Sequence, residues 1–308
     1  MNDPRFSLRQ LQYFVAIADS ATLSAAAIRL HVSQPTLSQA LTDLERALKV
    51  QLCVRRRAHG ITLTPSGTQV LRQARQLLRQ AEDLHSAAAG DGPLTGSLSV
   101  GCYVTFAPTV LPPLLQGFAS VHPEVTIDFT EDTQDVLQQR LLSGELDIAI
   151  LYDMELLPEL ARTVLYTVRP HILLPTDHSM ADHPAISLKD LEPEPMVLLN
   201  APPSSHNTLA IYQHLGLVPR VTYRPTTYEL TRSLVGRGLG YALLVQRPAN
   251  DRTYEGLPVT IKEIADPVPE ARVLIAWPRA MRLNRRADEF VRHCMSPRLS
   301  SGVSGDRQ

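Results

Sequence analysis

Residues 21–48 constrain the fold more than any other stretch: Ala-Thr-Leu-Ser-Ala-Ala-Ala-Ile-Arg-Leu-His-Val-Ser-Gln-Pro-Thr-Leu-Ser-Gln-Ala-Leu-Thr-Asp-Leu-Glu-Arg-Ala-Leu. Two short helical patterns lie close together in it. The first, Ser24–Leu30, is Ala-rich and strongly helix-forming. The second starts at Ser33, which can cap a helix by accepting a backbone N–H bond. Pro35 then falls in the first turn, where its missing N–H costs nothing. Leu37, Leu41, Leu44 and Leu48 share one face. The opposite face carries Gln34, Thr36, Ser38, Gln39, Thr42 and Asp43, which are short, polar and mostly uncharged. A solubilising face would carry Lys and Glu, whereas these donors and acceptors suit base edges in a major groove. Ala25, Ala26 and Ala27 let two helices cross closely. The pattern predicts a helix-turn-helix whose second helix reads DNA; a generic helical hairpin is the alternative.

The distribution of charge agrees with that reading. Residues 1–66 hold eight Lys or Arg against four Asp or Glu, and residues 90–308 hold nineteen against twenty-five. A basic head on an acidic body suits a head that meets phosphates. Cys53, Cys102 and Cys294 are far apart and show no metal-ligand or redox-motif spacing, which points to a reduced, cytoplasmic setting. The N-terminus is polar, and no stretch approaches the ~18 apolar residues of a transmembrane helix, so no membrane partner is expected.

The run Ala25-Ala26-Ala27…Leu30…Val32-Ser33-Gln34-Pro35-Thr36-Leu37-Ser38…Leu44-Glu45 resembles the signature of LysR-type transcriptional regulators. Upstream, Leu8, Leu11, Phe14, Val15 and Ala18 make a helical stripe with Ser7 as its cap. Downstream, Val50–Val54 and Gly60–Leu63 read as short strands around a basic tip, Arg55-Arg56-Arg57-Ala58-His59-Gly60. This is a winged arrangement, and its Arg residues suit a narrow minor groove. The resemblance implies base contacts from the start of the reading helix and a wing Arg in the minor groove. The candidate DNA-binding residues are therefore Ser33, Gln34, Pro35, Thr36, Ser38, Gln39, Arg55 and Arg56. The sequence departs from the family pattern at three positions. Lys49 stands where Gly is usual, which is expected to deny the reading helix its left-handed cap. Cys53 replaces a usual Phe, and Gln39 a common Arg.

Thr64-Pro65-Ser66-Gly67 then punctuates the chain. Val70, Ala74, Leu77, Ala81, Leu84 and Ala88 recur as a heptad seam, widened by Leu71 and Leu78. A seam of this kind predicts a homodimer through this linker helix, which places two reading helices on one duplex. An amphipathic helix packed on its own domain is the alternative. The resemblance adds a homotetramer and contact with RNA polymerase as expectations.

Beyond the hinge at 89–93, β and α patterns alternate, which argues for a mainly parallel sheet. Two α/β lobes are expected, joined by crossing strands around a cleft. The stretches Gly101…Leu111-Pro112-Pro113-Leu114-Leu115…Gly144-Glu145-Leu146-Asp147-Ile148-Ala149-Ile150 and Val235-Gly236-Arg237-Gly238-Leu239-Gly240-Tyr241 are similar to the family's effector domain. The resemblance implies the fold of periplasmic binding proteins. The expected division is a winged helix-turn-helix at 1–66 and a linker helix and hinge at 67–92. An effector-binding domain follows at 93–295, with lobe I about 93–160 and 267–295 and lobe II about 161–266. The composition of 296–308 predicts a disordered tail.

Within the cleft, Thr105 is expected to cap the helix after the first strand and to leave free N–H groups there, a start that attracts an anion. The resemblance matches Thr105 and Thr133 to positions that hold a small, often carboxylate-bearing effector. Tyr103, Phe106, Pro202, Ser204, Thr227 and Tyr228 complete the expected walls. Asp132, where Gly is common, keeps a neutral or cationic effector open. His171, His178 and His183 have no metal-site spacing, and Cys102 reads as a small buried hydrophobe. With no phosphate loop or nucleophile elbow, no cofactor and no enzymatic activity are expected. A two-lobed solute-binding protein or enzyme is the alternative function, but it leaves the first 90 residues without a role.

Overall fold

The computed structural model describes residues 5–20, 22–56, 60–88 and 93–296. Helix α1 (Leu8–Ala18) opens with a capping box between Ser7 and Gln10. Thr22 caps α2 (Leu23–Arg29), and Ser33 caps α3 (Gln34–Leu48) as its sequence predicts. Leu37, Leu41 and Leu44 are buried in one cluster with Phe14, Ile17 and Ala26, so the apolar stripe of α3 is the floor of the head. Strands β1 (Cys53–Arg56) and β2 (Gly60–Leu63) pair antiparallel and form the wing. The first strand starts later than its apolar run, at Cys53, because the Glu45 carboxylate takes the N–H groups of Leu52 and Cys53. The wing tip at 57–59 lies outside the described residues.

Lys49 overturns an expectation. It caps α3 in the left-handed conformation, φ 55° and ψ 35°, despite its side chain. Such a conformation costs roughly 1–2 kcal/mol for an L-residue. It persists because the chain on both sides is held: Val50 N–H closes on Glu45 O at 3.1 Å, and the Glu45 side chain anchors the residues that follow.

Helix α4 (Pro65–Ala88) is capped by Thr64, whose hydroxyl accepts from Gly67 N–H at 2.9 Å. The predicted seam divides in two. Leu71 and Ala74 are buried in the head core with Val70 and Leu78 against it. Leu77 and Leu84 stay 40% and 73% exposed. A third face is charged and lies on the body. The Arg75 guanidinium, 7% exposed, bonds Asp19 at the C-cap of α1, the Glu145 carboxylate at 3.1 Å and Ser143 O at 3.2 Å. One turn later Arg79 donates to Gly144 O at 2.7 Å and pairs with Asp147 at 3.2 Å.

The body begins with β3 (Gly96–Tyr103), α5 (Ala107–Val121), β4 (Val125–Asp132), α6 (Gln134–Leu142) and β5 (Ile148–Tyr152). Strand β3 lies between β4 and β5, parallel to both. Then come β6 (Leu160–Val168), β7 (His171–Pro175), β8 (Ala185–Ile186), α7 (Leu188–Leu191), β9 (Pro195–Val197) and α8 (Ser204–His214). Strand β10 (Arg220–Tyr223), α9 (Tyr228–Gly236), β11 (Ala242–Leu244) and β12 (Val259–Ile264) follow, before β13 (Ala271–Pro278) and α10 (Arg285–Cys294) close the chain. The first sheet runs β4-β3-β5-β13-β6, so β13 crosses back as expected. Residues 161–168, assigned to the second lobe from sequence, belong instead to this first sheet. Strand β6 pairs with β13 from Leu160 opposite Pro278 to Val168 opposite Ala271. The second lobe's sheet, β11-β7-β12-β8, is largely antiparallel rather than parallel, because β7 and its two neighbours run in opposite directions. The tail beyond 296 lies outside the described residues.

Arg75→Ala removes the cation shared by Asp19 and Glu145. Both carboxylates are partly solvated, at 32% and 42% exposure, so part of the loss is recovered from water. The expected destabilisation is about 1–2 kcal/mol, below the 3–5 of a wholly buried broken pair. Thermal unfolding of the full chain should show a midpoint lower by about 2–8 °C. An unchanged midpoint would show that the contact adds nothing.

Candidate nucleic-acid interface and effector cleft

The reading face forms because α3 is anchored by its leucines and turned outward by its cap. Ser33 accepts from Thr36 N–H at 3.2 Å, and the two hydroxyls lie 2.7 Å apart. His31 takes φ 53° in the turn, and Val32 N–H returns to Ala27 O at 3.0 Å. Gln34, Pro35, Thr36 and Gln39 are exposed, and Ser38 is half-buried. Local bonds orient two of the amides. Ser24 donates to Gln34 Oε1 at 3.0 Å, and Gln39 donates to Asp43 Oδ1, which also holds Arg46 at 2.7 Å. The structure thus brings Ser33, Gln34, Pro35, Thr36, Ser38 and Gln39 onto one outward surface. The backbone of Arg55 and Arg56 lies in the wing strand opposite Ile61 and Gly60.

Glu45 belongs to the signature run, but the motif assigns it no role. Its carboxylate accepts from Leu52 N–H at 2.7 Å and Cys53 N–H at 3.1 Å, which ties the reading helix to the wing. Cys53 is buried beneath the wing. The only sequence signal for this role is an acid one turn before the end of a DNA-reading helix, where a solvated face would also place one.

The cleft between the lobes is closed. Tyr103 donates from the end of β3 to Ala201 O at 2.6 Å and lies 3.2 Å from the Ser204 hydroxyl. Gln246 donates to the Tyr152 hydroxyl at 3.2 Å, and His206 meets Glu155 at 2.7 Å. Tyr103, Phe106 and Tyr152 pack edge to face with centroids 5.0–5.6 Å apart. Burial pushes the Tyr103 phenol up to about 12 and the fully enclosed Tyr152 phenol well above its ordinary value, so both are neutral. The Tyr228 hydroxyl donates to Gln246 O.

Thr105 departs from expectation. Phe106, not Thr105, is the N-cap of α5, and it makes no side-chain cap. The Thr105 hydroxyl is buried and makes no aligned hydrogen bond, although it lies near enough to Tyr103 and Tyr152 to favour their ionised forms slightly. The anion cradle expected at this helix start is also reduced. Phe106 N–H is bonded to Tyr103 O and Thr109 N–H to Phe106 O, and Pro108 has none. Thr133 and Thr227 cap α6 and α9 by backbone conformation without a side-chain bond.

A cavity of about 190 Å³ remains beside the cleft, lined by Gln134, Asp135, Gln138, Glu155, Pro202 and Pro203 among others. Of the predicted walls, Pro202 reaches it and Thr133 precedes it. Gln134 and Gln138 were not foreseen. They hold the strand exit by accepting from Tyr152 N–H at 2.9 Å and Leu157 N–H at 2.7 Å. Among the described residues the buried Ser205 hydroxyl also makes no aligned hydrogen bond.

The discounted groups lie elsewhere. His171 is enclosed in β7, and burial, with Arg247 and Arg232 nearby, lowers its pKa to about 3. His178 meets Glu194 at 2.6 Å. Burial pushes the Cys102 thiol well up.

A winged helix-turn-helix, a long helix and a body with a cleft between two α/β lobes define a DNA-binding transcriptional regulator with a ligand-binding domain of periplasmic-binding-protein type. Residues 8–68 match the family model for the bacterial regulatory helix-turn-helix protein of the lysR family, and residues 91–296 match the LysR substrate binding domain. The chain belongs to the LysR family of transcriptional regulators. It is 29% identical to the Hca operon transcriptional activator HcaR of Escherichia coli, over 88% of this chain and 91% of that one. It resembles the structure of HinK, a LysR family transcriptional regulator from Pseudomonas aeruginosa, with 35% identity, TM-score 0.65 and coverage of 94% and 97%. A full-length OxyR variant from the same organism superposes with TM-score 0.75 at 27% identity, covering 97% of each chain.

Glu45→Ala leaves two part-buried N–H groups without an acceptor. A hydrogen bond to a charged group contributes about 1.5–3 kcal/mol, so a loss of that size from the head is expected. Limited proteolysis should then cut the wing faster than in the parent protein; equal rates and equal thermal midpoints would remove Glu45 from this role.

Proposed function

We propose that the chain works in the cytoplasm as a homodimer joined through α4, and as a tetramer of two such dimers, without enzymatic activity or cofactor. Gln34, Pro35, Thr36, Ser38 and Gln39 read base edges in the major groove, Ser33 supports them, and Arg55 and Arg56 enter the adjacent minor groove. The single observation that carries this reading is the outward surface of α3. It is neutral, hydrogen-bonding and held rigid from below by buried leucines. The unfilled side of α4, with Leu77 lining a groove that includes Phe6 and Leu48 and with Leu84 exposed two turns further on, supports the dimer. A small molecule in the cleft biases the placement of the heads, and RNA polymerase is the downstream partner. No helix among the described residues is long and apolar enough to cross a membrane.

Binding to the chain's own promoter region over a salt series tests the DNA reading. Affinity should fall steeply with salt, as counterion release requires. Gln34→Ala should weaken one operator position by about 1–3 kcal/mol, whereas Arg55→Ala should weaken all sequences and lower the salt slope by about one. If neither variant changes affinity, the reading surface is elsewhere.

Thr105→Val tests the cleft. A metabolite screen by thermal shift identifies compounds that stabilise the parent protein, since a ligand of the folded form raises its midpoint. The variant should lose most of that shift and keep full DNA affinity without ligand. An undiminished shift would remove Thr105 from the site.

A further inference from the structure

A second cavity, about 210 Å³, lies away from the interlobe walls, where the linker helix meets the body. Helix α4 contributes Gln76 and Gln80, and the body contributes the end of β13, the turn after it and the start of α10. Trp277, Met281 and Leu283 give it apolar walls. Its floor is the Arg79–Asp147 pair at 3.2 Å, whose charges cancel. Arg282 stands exposed at the rim and makes no ion pair among the described residues. The side-chain amides of Gln76 and Gln80 make no hydrogen bond among the described residues either, so they are open to a guest.

We propose that this joint is a second ligand site, distinct from the cleft, for a small monoanion with a flat apolar body. Size, wall chemistry and charge each support this. An apolar cavity of about 150 Å³ holds benzene, so the volume here admits a ring with one polar substituent. An indole and a thioether make a flat, polarizable wall that favours an aromatic face. With the floor neutral, the remaining charge is the Arg282 guanidinium. The positive end of the α10 dipole opens on the same wall, and the one acid of its first turn, Asp288, pairs with Arg292 at 2.8 Å. An anion is therefore favoured over a cation. The occupant would touch α4 and the body together, beside the contacts of Arg75 and Arg79. It would bias the placement of the head if it binds the two placements unequally.

The chain has a single tryptophan, Trp277, and it lines this cavity, so the selectively excited tryptophan emission of the full-length protein reports on it. Benzoate, benzamide and benzamidine share one shape and carry negative, zero and positive charge. Benzoate should give a saturable change in emission, benzamide a weaker one and benzamidine none. Arg282→Glu, at an exposed position that leaves the core untouched, should weaken benzoate by about tenfold, the scale of reversing one partly solvated ion pair. Thr105→Val should leave the benzoate response intact. The proposal fails if benzoate gives no saturable change or if the three probes respond alike. It also fails if Arg282→Glu has no effect, or if Thr105→Val abolishes the response and so places the ligand in the cleft.

Discussion

One buried guanidinium fixes how the parts of this protein sit together. Arg75 on the linker helix reaches Asp19 of the head and both Glu145 and Ser143 O of the body. A cation taken out of water must be matched in full, and here the match needs all three parts at once. The same side chain would be hydrated again if the body swung away. The energy difference between the two placements is then a small remainder of large opposing terms, which suits a switch better than a weld. Arg79 repeats the contact one turn along, on Gly144 O and Asp147. Gly144 has φ +71°, and a Cβ there would come within 3.0 Å of the Arg79 guanidinium, so the loop accepts the clamp only as glycine.

The cleft is closed by its own chemistry. Its interlobe bonds run from Tyr103 to Ala201, from Gln246 to Tyr152 and between His206 and Glu155. The first two are neutral and contribute about 0.5–1.5 kcal/mol each. The apolar core also runs continuously from Leu98 and Ile150 to Val197 and Leu244, across both lobes. A ligand entering here competes with contacts already made. What it gains is the pair of buried hydroxyls, on Thr105 and Ser205, that make no aligned hydrogen bond among the described residues. A ligand that satisfies them removes a desolvation penalty that the closed form otherwise carries.

The head was legible because its residues serve local rules: Ser7 and Ser33 cap helices, Pro35 tolerates a first turn, and leucines at helical spacing mark the core. The left-handed cap at Lys49 runs against a propensity rule because its backbone is set by the helix before it and by the bonds of Glu45 to Val50, Leu52 and Cys53 after it. Strand β6 was misassigned because an edge strand with alternating exposure shows no apolar run, and its partner β13 lies a hundred residues away along the sequence. The cleft was legible only as a location. Tyr152, Gln246 and Gln134 come together from different parts of the chain, and no spacing within the sequence announces such a meeting. Thr105 was placed in the right neighbourhood for the wrong reason, since the helix it precedes is capped by Phe106.

Strand β5 joins the two centres of this structure. It enters from Asp147, which holds Arg79 and accepts from Ser99 N–H at 2.9 Å, and it ends at Tyr152, which bonds Gln246 across the cleft. Every residue between is buried, with β3 on one side and β13 on the other. At about 3.3 Å per residue the strand spans roughly 16 Å. A buried, doubly paired strand is stiff along its axis, because sliding it would break ladder bonds on both sides. A ligand that displaced Tyr152 would therefore push on the strand as a whole, toward the loop that Arg75 and Arg79 hold. The physical route from cleft to head is short, and it ends on the ionic contacts of Arg75 and Arg79.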